Sequence, residues 1–373
     1  MKTLAICHPR IKEIREDDFF SEIQISGTPI TIGLVDSELV ELPRDEKYAH
    51  CLLVRKIAFS CNYRDKTLML LFNDKCHAKS DDNLIYYSPI GSEFVAEVVS
   101  VGSAVTNFEV GDKVIPNGTY PILKKGNSGL GGLPTNLGSQ RFQLFTENHL
   151  VKVPNDIPDE VLASLTIGGH TVYSMLRRLT IRQGMNVLVT AATSNTSLMV
   201  LEALKKYNVN VFAVSSSLKS AEKIRAIGVK EVISSPAVDK NALLQATKRV
   251  GSFDIVIDPF FDLFINEIIK CMNFNSSYIT CGFFNQHKSF VANGQVINND
   301  FNVIMTQCMI KNISLIGNCL GSLQDLENAI RDIQLNQFKI AIDSVHQGDQ
   351  IQSFFNRTFN APDRFGKVVY KYE

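Results

Sequence analysis

The sequence predicts an α/β protein that combines a barrel-like antiparallel β domain with a doubly wound parallel sheet. Residues 1–160 consist of short β-rich segments separated by turn residues, whereas strands alternate with helices from about residue 160 onward. The chain has 373 residues, which is enough for two or three domains of roughly 100–200 residues each. We therefore predict a first domain over 1–160, completed by 321–373, and a second domain over 161–320.

Four segments of the first domain have the composition of β-strands. Each is rich in β-branched or aromatic residues and is bounded by Gly, Asp, Asn or Pro. Strands of this length that are joined by local turns predict an antiparallel, barrel-like arrangement. The segments are Ile30–Val35, Cys51–Phe59, Phe94–Gly102 and Lys113–Pro116.

The second domain alternates amphipathic helices with short apolar strands, which is typical of βαβ units. The sheet that they form is parallel, is covered on both faces and binds ligands at the carboxyl ends of its strands. A helix follows residue 320, and a strand near Lys339–Asp343 and a final strand at Gly366–Tyr372 could rejoin the first domain. The predicted helices include Thr171–Leu179, Ser197–Lys206 and Ala221–Gly228, and the predicted strands are Met185–Thr190, Asn210–Val214, Glu231–Ile233, Phe253–Asp258 and Ser277–Gly282.

The charge balance limits the classes of partner. The chain has 38 Lys and Arg against 38 Asp and Glu, so its formal net charge is zero. Nucleic-acid and membrane-surface partners require a surplus of positive charge and are therefore not expected. The apolar runs are shorter than the ~20 residues of a membrane-spanning helix, and the N-terminal apolar stretch is too short for a secretory signal. We predict a soluble cytoplasmic protein.

The eight cysteines could suggest a metal site, but their spacing does not favour one. No Cys-x-x-Cys pair is present, and the adjacent Cys76 and His77 cannot easily share one tetrahedral ion. Most cysteines have apolar neighbours, as buried thiols do in a reducing compartment. Buried apolar residues are therefore favoured over metal ligands.

A segment of small and hydroxylated residues stands where a strand should turn into a helix. In a dinucleotide site, small residues at this turn allow a pyrophosphate to approach the backbone N–H groups at the start of the helix. Every glycine of the usual fingerprint is replaced here, and a plain helix N-cap is an equally good explanation. The residues are Ala192, Thr193, Ser194, Asn195 and Thr196.

An ordered set of motifs runs through nearly the whole chain. It resembles the medium-chain dehydrogenase/reductase superfamily and is most similar to its zinc-lacking quinone oxidoreductase and enoyl reductase branches. The resemblance implies a GroES-like catalytic domain, a Rossmann domain and a nicotinamide cofactor in the cleft between them. The motifs are Asn62-Tyr63-Arg64-Asp65, Pro89–Gly102, Val105–Val114, Gly169–Tyr173, Gly184–Val189, Ala226–Gly228 and Phe365–Val369.

Many members of this superfamily bind zinc, but the corresponding positions here lack zinc ligands. By resemblance, the family's three catalytic ligand positions fall on Asn62, on Ser92 and near Ile167. Amide, hydroxyl and aliphatic side chains are poor zinc ligands or none at all. The lobe that would carry four structural cysteines is replaced by residues 124–136, which contain no Cys. We therefore expect no metal, and the chemistry becomes hydride transfer to a double bond polarised by a carbonyl group.

Such a reaction requires a hydrogen-bond donor at the carbonyl oxygen and a proton source for the second carbon. Asn62 and Tyr63 are the first candidates, because the amide can donate to the oxygen and the phenol can donate a proton. Tyr63 could instead pack beneath the cofactor. Thr67 stands where many quinone reductases have a second Tyr.

Two further residues are catalytic candidates. Asp65 belongs to the same motif, although it could form an ion pair with Arg64 that only holds the loop. His170 precedes the family's Thr-x-Tyr motif and could line the cleft, although a lone His at the start of a helix is more often structural. By resemblance, Thr171 lies against the nicotinamide side of the cofactor.

Cofactor choice is determined at the end of the second Rossmann strand. NAD sites use an Asp or Glu there for the ribose hydroxyls, whereas this chain has Ser215, Ser216, Ser217 and Lys219. Hydroxyls and a lysine suit a 2′-phosphate, so we predict NADPH; the alternative is a solvated serine-rich loop. Gly282 and Phe283 complete the predicted set of cofactor-binding residues.

The predicted function is NADPH-dependent reduction of an activated C=C bond in an enone, a quinone, an enoyl thioester or a dehydroamino acid within a peptide. Residues 132–136 and 192–196 are similar to segments of lanthipeptide-tailoring dehydroalanine reductases, which give D-alanine, and the 124–140 loop could line a wide cleft. A non-catalytic NADPH-binding sensor or scaffold is the alternative from another class. By resemblance to this branch, a homodimer is expected.

Overall fold

The structure is a computed structural model that describes residues 1–13, 15, 18–36, 41–78, 87–119, 137–290 and 299–373. The chain divides into two compact units. The first unit comprises Met1–Ile167 together with Ile342–Glu373, and the second comprises Gly168–Ala341.

The predicted divisions were at residues 160 and 320, and one helix accounts for the position of the second boundary of the units, between Ala341 and Ile342. Helix α9 (Leu323–Gln334) is joined to α3 (Thr166–Arg177) by a hydrogen bond from the Tyr173 hydroxyl to Asp332, 2.7 Å long. The Arg177–Asp325 ion pair joins the same two helices. The segment 321–341 therefore lies in the second unit.

The first unit contains two sheets. Strands β2-β3-β1-β5 form an antiparallel sheet of four, and β16-β17-β4-β6-β7-β9 form a second sheet, in which β8 also pairs with β4. The strands are β1 (Lys2–Cys7), β2 (Phe19–Ile25), β3 (Thr28–Asp36), β4 (Cys51–Ser60), β5 (Tyr87–Pro89), β6 (Glu93–Val101), β7 (Lys113–Pro116), β8 (Phe142–Thr146), β9 (Leu150–Lys152), β16 (Ile342–Gln347) and β17 (Lys367–Lys371), and the helices are α1 (Tyr63–Ala78), α2 (Asp159–Leu162) and α10 (Ile351–Phe359).

The second unit is built on a parallel sheet of six strands in the order β12-β11-β10-β13-β14-β15. Its strands are β10 (Asn186–Val189), β11 (Asn210–Ser215), β12 (Glu231–Ser234), β13 (Phe253–Asp258), β14 (Met272–Thr280) and β15 (Ser314–Gly317), and its further helices are α4 (Asn195–Leu204), α5 (Ala221–Ala226), α6 (Ala242–Val250), α7 (Phe261–Ile268) and α8 (Phe301–Lys311).

Both faces of this sheet are buried. Leu188 and Val256 belong to a core cluster that also contains apolar residues of α6, α7 and α8. Successive side chains of a strand point to opposite faces, so Val187 and Ile257, which are equally inaccessible, lie on the other face. A parallel sheet that is buried on both faces is doubly wound, as predicted.

The predicted strands of the first unit are all present, but two of its helices, α1 and α10, were missed. Helix α1 contains a continuous apolar run over residues 68–72, which lacks the 3.6-residue period that identifies a helix in a sequence. The strand expected near Lys339–Asp343 begins instead at Ile342, where it pairs with Lys367 of β17. Among the described residues, no helix has the length and apolar character that crossing a membrane requires.

Candidate active site

A buried ion pair lies at the centre of a polar network in the first unit. Glu93 begins β6 and Lys367 begins β17, and both side chains are almost fully inaccessible to solvent. The Lys367 ammonium contacts Glu93 Oε1 and donates to Asn62 Oδ1 at 2.8 Å. We call this set the Glu93 network; its members are Ser60, Asn62, Asp65, Ser92, Glu93 and Lys367.

The Glu93 carboxylate is saturated with hydrogen bonds. Its Oε1 accepts from the Ser60 hydroxyl at 2.9 Å and from the Asn62 amide at 2.8 Å. Its Oε2 accepts the backbone N–H of Ile167 at 2.9 Å. A buried carboxylate is tolerated when a cation and several donors surround it, and Glu93 has both.

The Asn62 side chain is fixed in one orientation by its partners. Its Oδ1 accepts from Lys367, and its Nδ2 donates to Glu93 Oε1 and, at 3.2 Å, to the Ser92 hydroxyl. An amide carries two N–H donors, so both are used inside the network. For Asn62 to donate to a substrate oxygen, as predicted, its side chain would have to break its hydrogen bond with Glu93 or with Ser92.

Asp65 lies in the first turn of α1 and is completely buried. Its Oδ2 accepts the backbone N–H of Asn62 at 2.7 Å and the Ser92 hydroxyl at 2.8 Å, whereas its Oδ1 has no hydrogen-bond partner among the described residues. Burial raises the pKa of this carboxyl, and the positive charge of Arg64 partly opposes the increase. Tyr63, the first residue of α1, is half-buried beside them.

The three positions that bind zinc in the family are brought together here, but their chemistry does not fit zinc. Asn62 and Ser92 are hydrogen-bonded to each other, and the N–H of Ile167 joins them through Glu93. These three positions provide no thiolate or imidazole, and the ammonium of Lys367 already occupies the Glu93 carboxylate beside them. Within the part of the chain that the structure describes, no three His, Cys, Asp or Glu side chains form a metal-binding group. Residues 124–136, the predicted replacement of the structural zinc lobe, lie outside the described residues.

The strand order of the second unit reverses between β10 and β13, and ligands of such sheets bind at this point. The ends of the two strands are joined by Asp258, the last residue of β13, to which the sequence analysis assigned no function. Asp258 accepts from the Thr190 hydroxyl at 2.6 Å and from the Tyr278 hydroxyl at 2.5 Å. Burial raises the pKa of the Asp258 carboxyl.

The turn between β10 and α4 is tied internally by its hydroxyl groups. Ser194 is the N-cap of α4 and accepts the N–H of Ser197, whose own hydroxyl donates to the Thr190 carbonyl at 2.7 Å. Ala191 has a φ of +45°, a left-handed conformation usually taken by glycine. Ala192 is buried, and its N–H donates to the Val214 carbonyl.

This turn fits an anionic group. Helix α4 has ten residues, so its N-terminal end carries a positive dipole and N–H groups that favour a phosphate. The residues that surround this end are small and only half-buried, so they leave room for a ligand; they are Thr193, Ser194, Asn195 and Thr196.

The serines after β11 differ in their accessibility. Ser215 is buried, and its hydroxyl donates to the carbonyl of Ser217 at 2.7 Å. Ser217 accepts the N–H of Lys219 through its side chain and so caps a short 3₁₀ turn. Ser216 and Lys219 are exposed. Of the predicted residues, these two are therefore the ones that a 2′-phosphate could reach from solvent.

The remaining predicted residues lie in the second unit. His170 is fully buried; its Nδ1 lies 3.0 Å from the Ser322 carbonyl oxygen, and burial lowers its pKa to about 4. His170 is therefore neutral at pH 7. Its burial and its contact with the Ser322 carbonyl are typical of a structural histidine, and its catalytic role stays a prediction. Thr171 is buried on α3, a Cβ on Gly282 would lie 3.0 Å from the Pro259 carbonyl, and Phe283 is exposed.

Two family descriptions match separate parts of the chain. The family described as alcohol dehydrogenase GroES-like domain matches residues 49–155, and the one described as zinc-binding dehydrogenase matches residues 196–334. The structure of a thermostable alcohol dehydrogenase from Pyrobaculum aerophilum has a TM-score of 0.71, covers 99% of each chain and is 18% identical. The predicted fold, a GroES-like domain with a Rossmann sheet, is confirmed.

The similar proteins of known activity include reductases of enoyl thioesters. The acryloyl-coenzyme A reductase of Metallosphaera sedula is 24% identical over 253 residues, which cover 65% of this chain and 71% of that protein. The mitochondrial enoyl-acyl-carrier-protein reductase of Homo sapiens is 32% identical over 148 residues, which cover 38% of this chain and 36% of that protein.

Proposed function

Since the chain belongs to the medium-chain dehydrogenase/reductase superfamily, we propose that it is a zinc-independent, NADPH-dependent reductase of an activated carbon–carbon double bond. The observation that carries this proposal is the Glu93 network. It fills the positions of the zinc ligands with an amide and a hydroxyl, and it supplies a buried ammonium in place of a metal cation.

The chemistry divides between a cofactor and the protein. When bound, NADPH would supply a hydride to the carbon β to the carbonyl group. We assign the pyrophosphate to the N-terminal end of α4, and the 2′-phosphate to Ser216 and Lys219, the two exposed residues of the loop after β11. The loop of residues 214–220 contains no carboxylate, which favours a phosphate there.

The protein must also stabilise the carbonyl oxygen and deliver a proton to the α-carbon. Because both N–H groups of Asn62 are directed to Ser92 and Glu93, Tyr63 is our candidate for the donor that meets the substrate. Asn62 holds the start of α1, since its backbone N–H bonds to Asp65. In this assignment the network positions Tyr63 and does not itself touch the substrate.

An enoyl thioester is our first candidate for the substrate, because two similar proteins are named for reductases of such compounds. Quinones, enones and dehydroalanine peptides remain predictions from the sequence resemblance, and they are included in the test. A protein that binds NADPH but reduces none of these compounds would support the alternative of a non-catalytic sensor.

The decisive experiment measures NADPH oxidation by the full chain with acryloyl-CoA, crotonyl-CoA, methyl vinyl ketone, benzoquinone and a dehydroalanine peptide. We expect turnover with at least one of these acceptors, and we expect Tyr63→Phe to lower kcat by about 10²–10⁴-fold. Tyr48→Phe, a change at another half-buried tyrosine of the first unit, is the control and should retain activity. NADPH binding without oxidation by any acceptor would support the sensor instead.

The proposal for zinc is tested separately. The purified enzyme should keep its rate in the presence of a chelator such as 1,10-phenanthroline, and metal analysis should find no stoichiometric zinc. Activity that disappears with the chelator and returns with Zn²⁺ would overturn the zinc-independent part of the proposal and leave the reductase part intact.

The preference for NADPH over NADH is tested with a substitution at Lys219. Lys219→Glu places a carboxylate where we assign the 2′-phosphate, so NADPH should bind much more weakly while NADH is little affected. Lys223→Glu, one turn further along the chain, is the matched control for charge. Equal weakening of both cofactors by Lys219→Glu would remove this assignment.

A further inference from the structure

Two cysteines of the second unit lie just beyond the ends of neighbouring parallel strands. Strand β14 ends at Thr280 and β15 ends at Gly317, and these two residues pair in register. The N–H of Asn318 donates to the Thr280 carbonyl at 2.7 Å, so the two backbones stay paired one step further. Cys281 is the first residue after β14, and Cys319 is the second residue after β15, directly after Asn318.

The pairing brings these residues within disulfide range. Neighbouring strands lie about 4.8 Å apart and each residue advances about 3.3 Å, so two residues offset by one step are about 6 Å apart. Disulfides join Cα atoms about 4.4–6.8 Å apart. Both cysteines lie beyond the last strand residues of β14 and β15.

The surroundings of the two thiols differ. Cys319 is exposed, whereas Cys281 is partly buried. Burial raises the pKa of Cys281 to about 12, and the nearby Asp258 and Cys319 add to the increase. The effect of Cys319 on Cys281 places the two thiols in one electrostatic environment. Cys319 is therefore the thiol that an oxidant in solution can reach first, because reaction requires access and thiolate character.

We propose that Cys281 and Cys319 form a reversible disulfide, an oxidation site at the carboxyl edge of the Rossmann sheet. The oxidant class is a hydroperoxide, ROOH. The Cys319 thiolate attacks the peroxide oxygen, which gives a sulfenic acid and, after protonation of the leaving group, ROH. The sulfur of Cys281 then displaces the sulfenic hydroxyl, which leaves as water with the thiol proton. Two electrons pass from the sulfurs to the peroxide, and a dithiol reductant reverses the change.

The position of this site connects it with the cofactor. Cys281 immediately precedes Gly282 and Phe283, which we predict to bind NADPH. A disulfide would fix this segment to the end of β15, in a place where a Cβ on Gly282 would already approach the Pro259 carbonyl. Oxidation should therefore weaken NADPH binding. This consequence rests on the proposed function, whereas the disulfide itself does not.

The first test is chemical. The full chain is treated with hydrogen peroxide, digested without reduction and analysed by mass spectrometry. We expect a cross-linked peptide pair containing Cys281 and Cys319 that is lighter by two hydrogen atoms and that disappears with dithiothreitol. Cys319→Ser should abolish it, whereas Cys308→Ser, a change at a buried cysteine of the same unit, should leave it intact. Oxidation of Cys319 to sulfinic acid with Cys281 unchanged would overturn the proposal.

The second test measures NADPH affinity before and after oxidation. The dissociation constant should rise roughly tenfold on oxidation, return with dithiothreitol and stay unchanged in peroxide-treated Cys319→Ser. A disulfide that forms without changing the affinity would overturn the connection with the cofactor. A reduced chain that does not bind NADPH would instead overturn the proposed function, because the mass-spectrometric result does not depend on it.

Discussion

Lys56 and Lys367 both lie in the first unit with side chains removed from solvent, but only Lys367 meets a carboxylate. The described residues give Lys56 a different set of partners: the Gln143 amide oxygen at 3.1 Å and the face of the Phe94 ring, with the ammonium 3.3 Å from its centroid. Burial lowers the pKa of Lys56 well below its usual value. A ring face contributes about 0.5–2 kcal/mol to the charged form, less than the several kcal/mol that burying an ion costs.

Lys56→Met should therefore raise the free energy of unfolding by about 1–3 kcal/mol at pH 7. The pKa of Lys56 is lower in the folded state than in the unfolded state, where it is about 10.4. Between these two pKa values, unfolding takes up a proton, so stability increases with pH. The free energy of unfolding of the wild type should consequently increase as the pH rises toward 10, so its difference from that of Lys56→Met should become smaller. Urea unfolding between pH 6 and pH 10 measures this, with exposed Lys47→Met as the control. A difference that does not change with pH would contradict the lowered pKa.

Lys367→Met should have the opposite effect, because it leaves the buried Glu93 without its cation. Breaking a buried pair costs about 3–5 kcal/mol. Lys371→Met on the same strand is the matched control, since its ion pair with Asp159 is partly exposed and should contribute about 0–1 kcal/mol. Urea unfolding of both variants compares the two losses, and equal losses would show that the Glu93 network does not stabilise the first unit.

At the scale of elements, the turn before α4 has two functions that can be separated. The Ser194 side chain caps the helix, and the residues around it form the predicted pyrophosphate site. The Ser194 hydroxyl donates to the Ser197 hydroxyl, which donates to the Thr190 carbonyl, so these two serines tie the start of α4 to the end of β10.

Ser194→Ala should lower the free energy of unfolding by about 1 kcal/mol, whereas Ser194→Gly should lower it by only a few tenths. Asp300→Ala removes the equivalent N-cap of α8 in the same unit and is the control for a lost cap. Titration with NADPH should show weaker binding for Ser194→Ala and no change for Asp300→Ala. The same affinity in all variants would mean that the α4 turn does not hold the cofactor.

The elements were predictable from the sequence where their pattern is local. The strands that were predicted follow from apolar runs bounded by turn residues, and the one predicted at Lys113–Pro116 has the same bounds in the structure. Helix α1 was not predictable in this way, since its apolar residues are consecutive. The β16 strand depends on pairing with β17, which is a tertiary contact that a local pattern does not contain.

The candidate site was predictable in its parts but not in its connections. Asn62, Ser92 and Ile167 were identified as replaced zinc positions, and the structure brings them together. Lys367 lies in the Phe365–Val369 motif but had no assigned function, because nothing local indicates that a residue 305 positions away donates to Asn62. The bonds that use both N–H groups of Asn62 likewise become visible only when the partners are in place.

At the scale of the whole molecule, the Rossmann sheet leaves strand β15 at one edge. The described residues provide no strand on its outer side, and Leu315 is exposed there. Met309 and Ile310 at the end of α8 are also exposed, at 69% and 63%. An exposed edge with apolar neighbours is a template for pairing with another chain.

We propose that this edge joins two copies in the expected homodimer, with β15 antiparallel to its counterpart about a two-fold axis. Leu315→Lys should convert the dimer to a monomer in size-exclusion chromatography with light scattering. Val238→Lys, a change at another exposed apolar residue of the second unit, should leave the dimer intact. A dimer that survives Leu315→Lys would place the interface elsewhere, and a monomeric wild type would remove the proposal.

The position of Lys367 in the chain has a consequence for biosynthesis. Strand β17 pairs with β4, and Lys367 completes the network around Asn62, yet the whole Rossmann unit is translated between these two segments. Domains generally fold as units while the ribosome is still adding residues. The Rossmann unit can therefore fold on the nascent chain, whereas the first unit must wait for its closing strand. Until that strand emerges, Glu93 lacks its cation, and the Glu93 network of the nascent protein is incomplete.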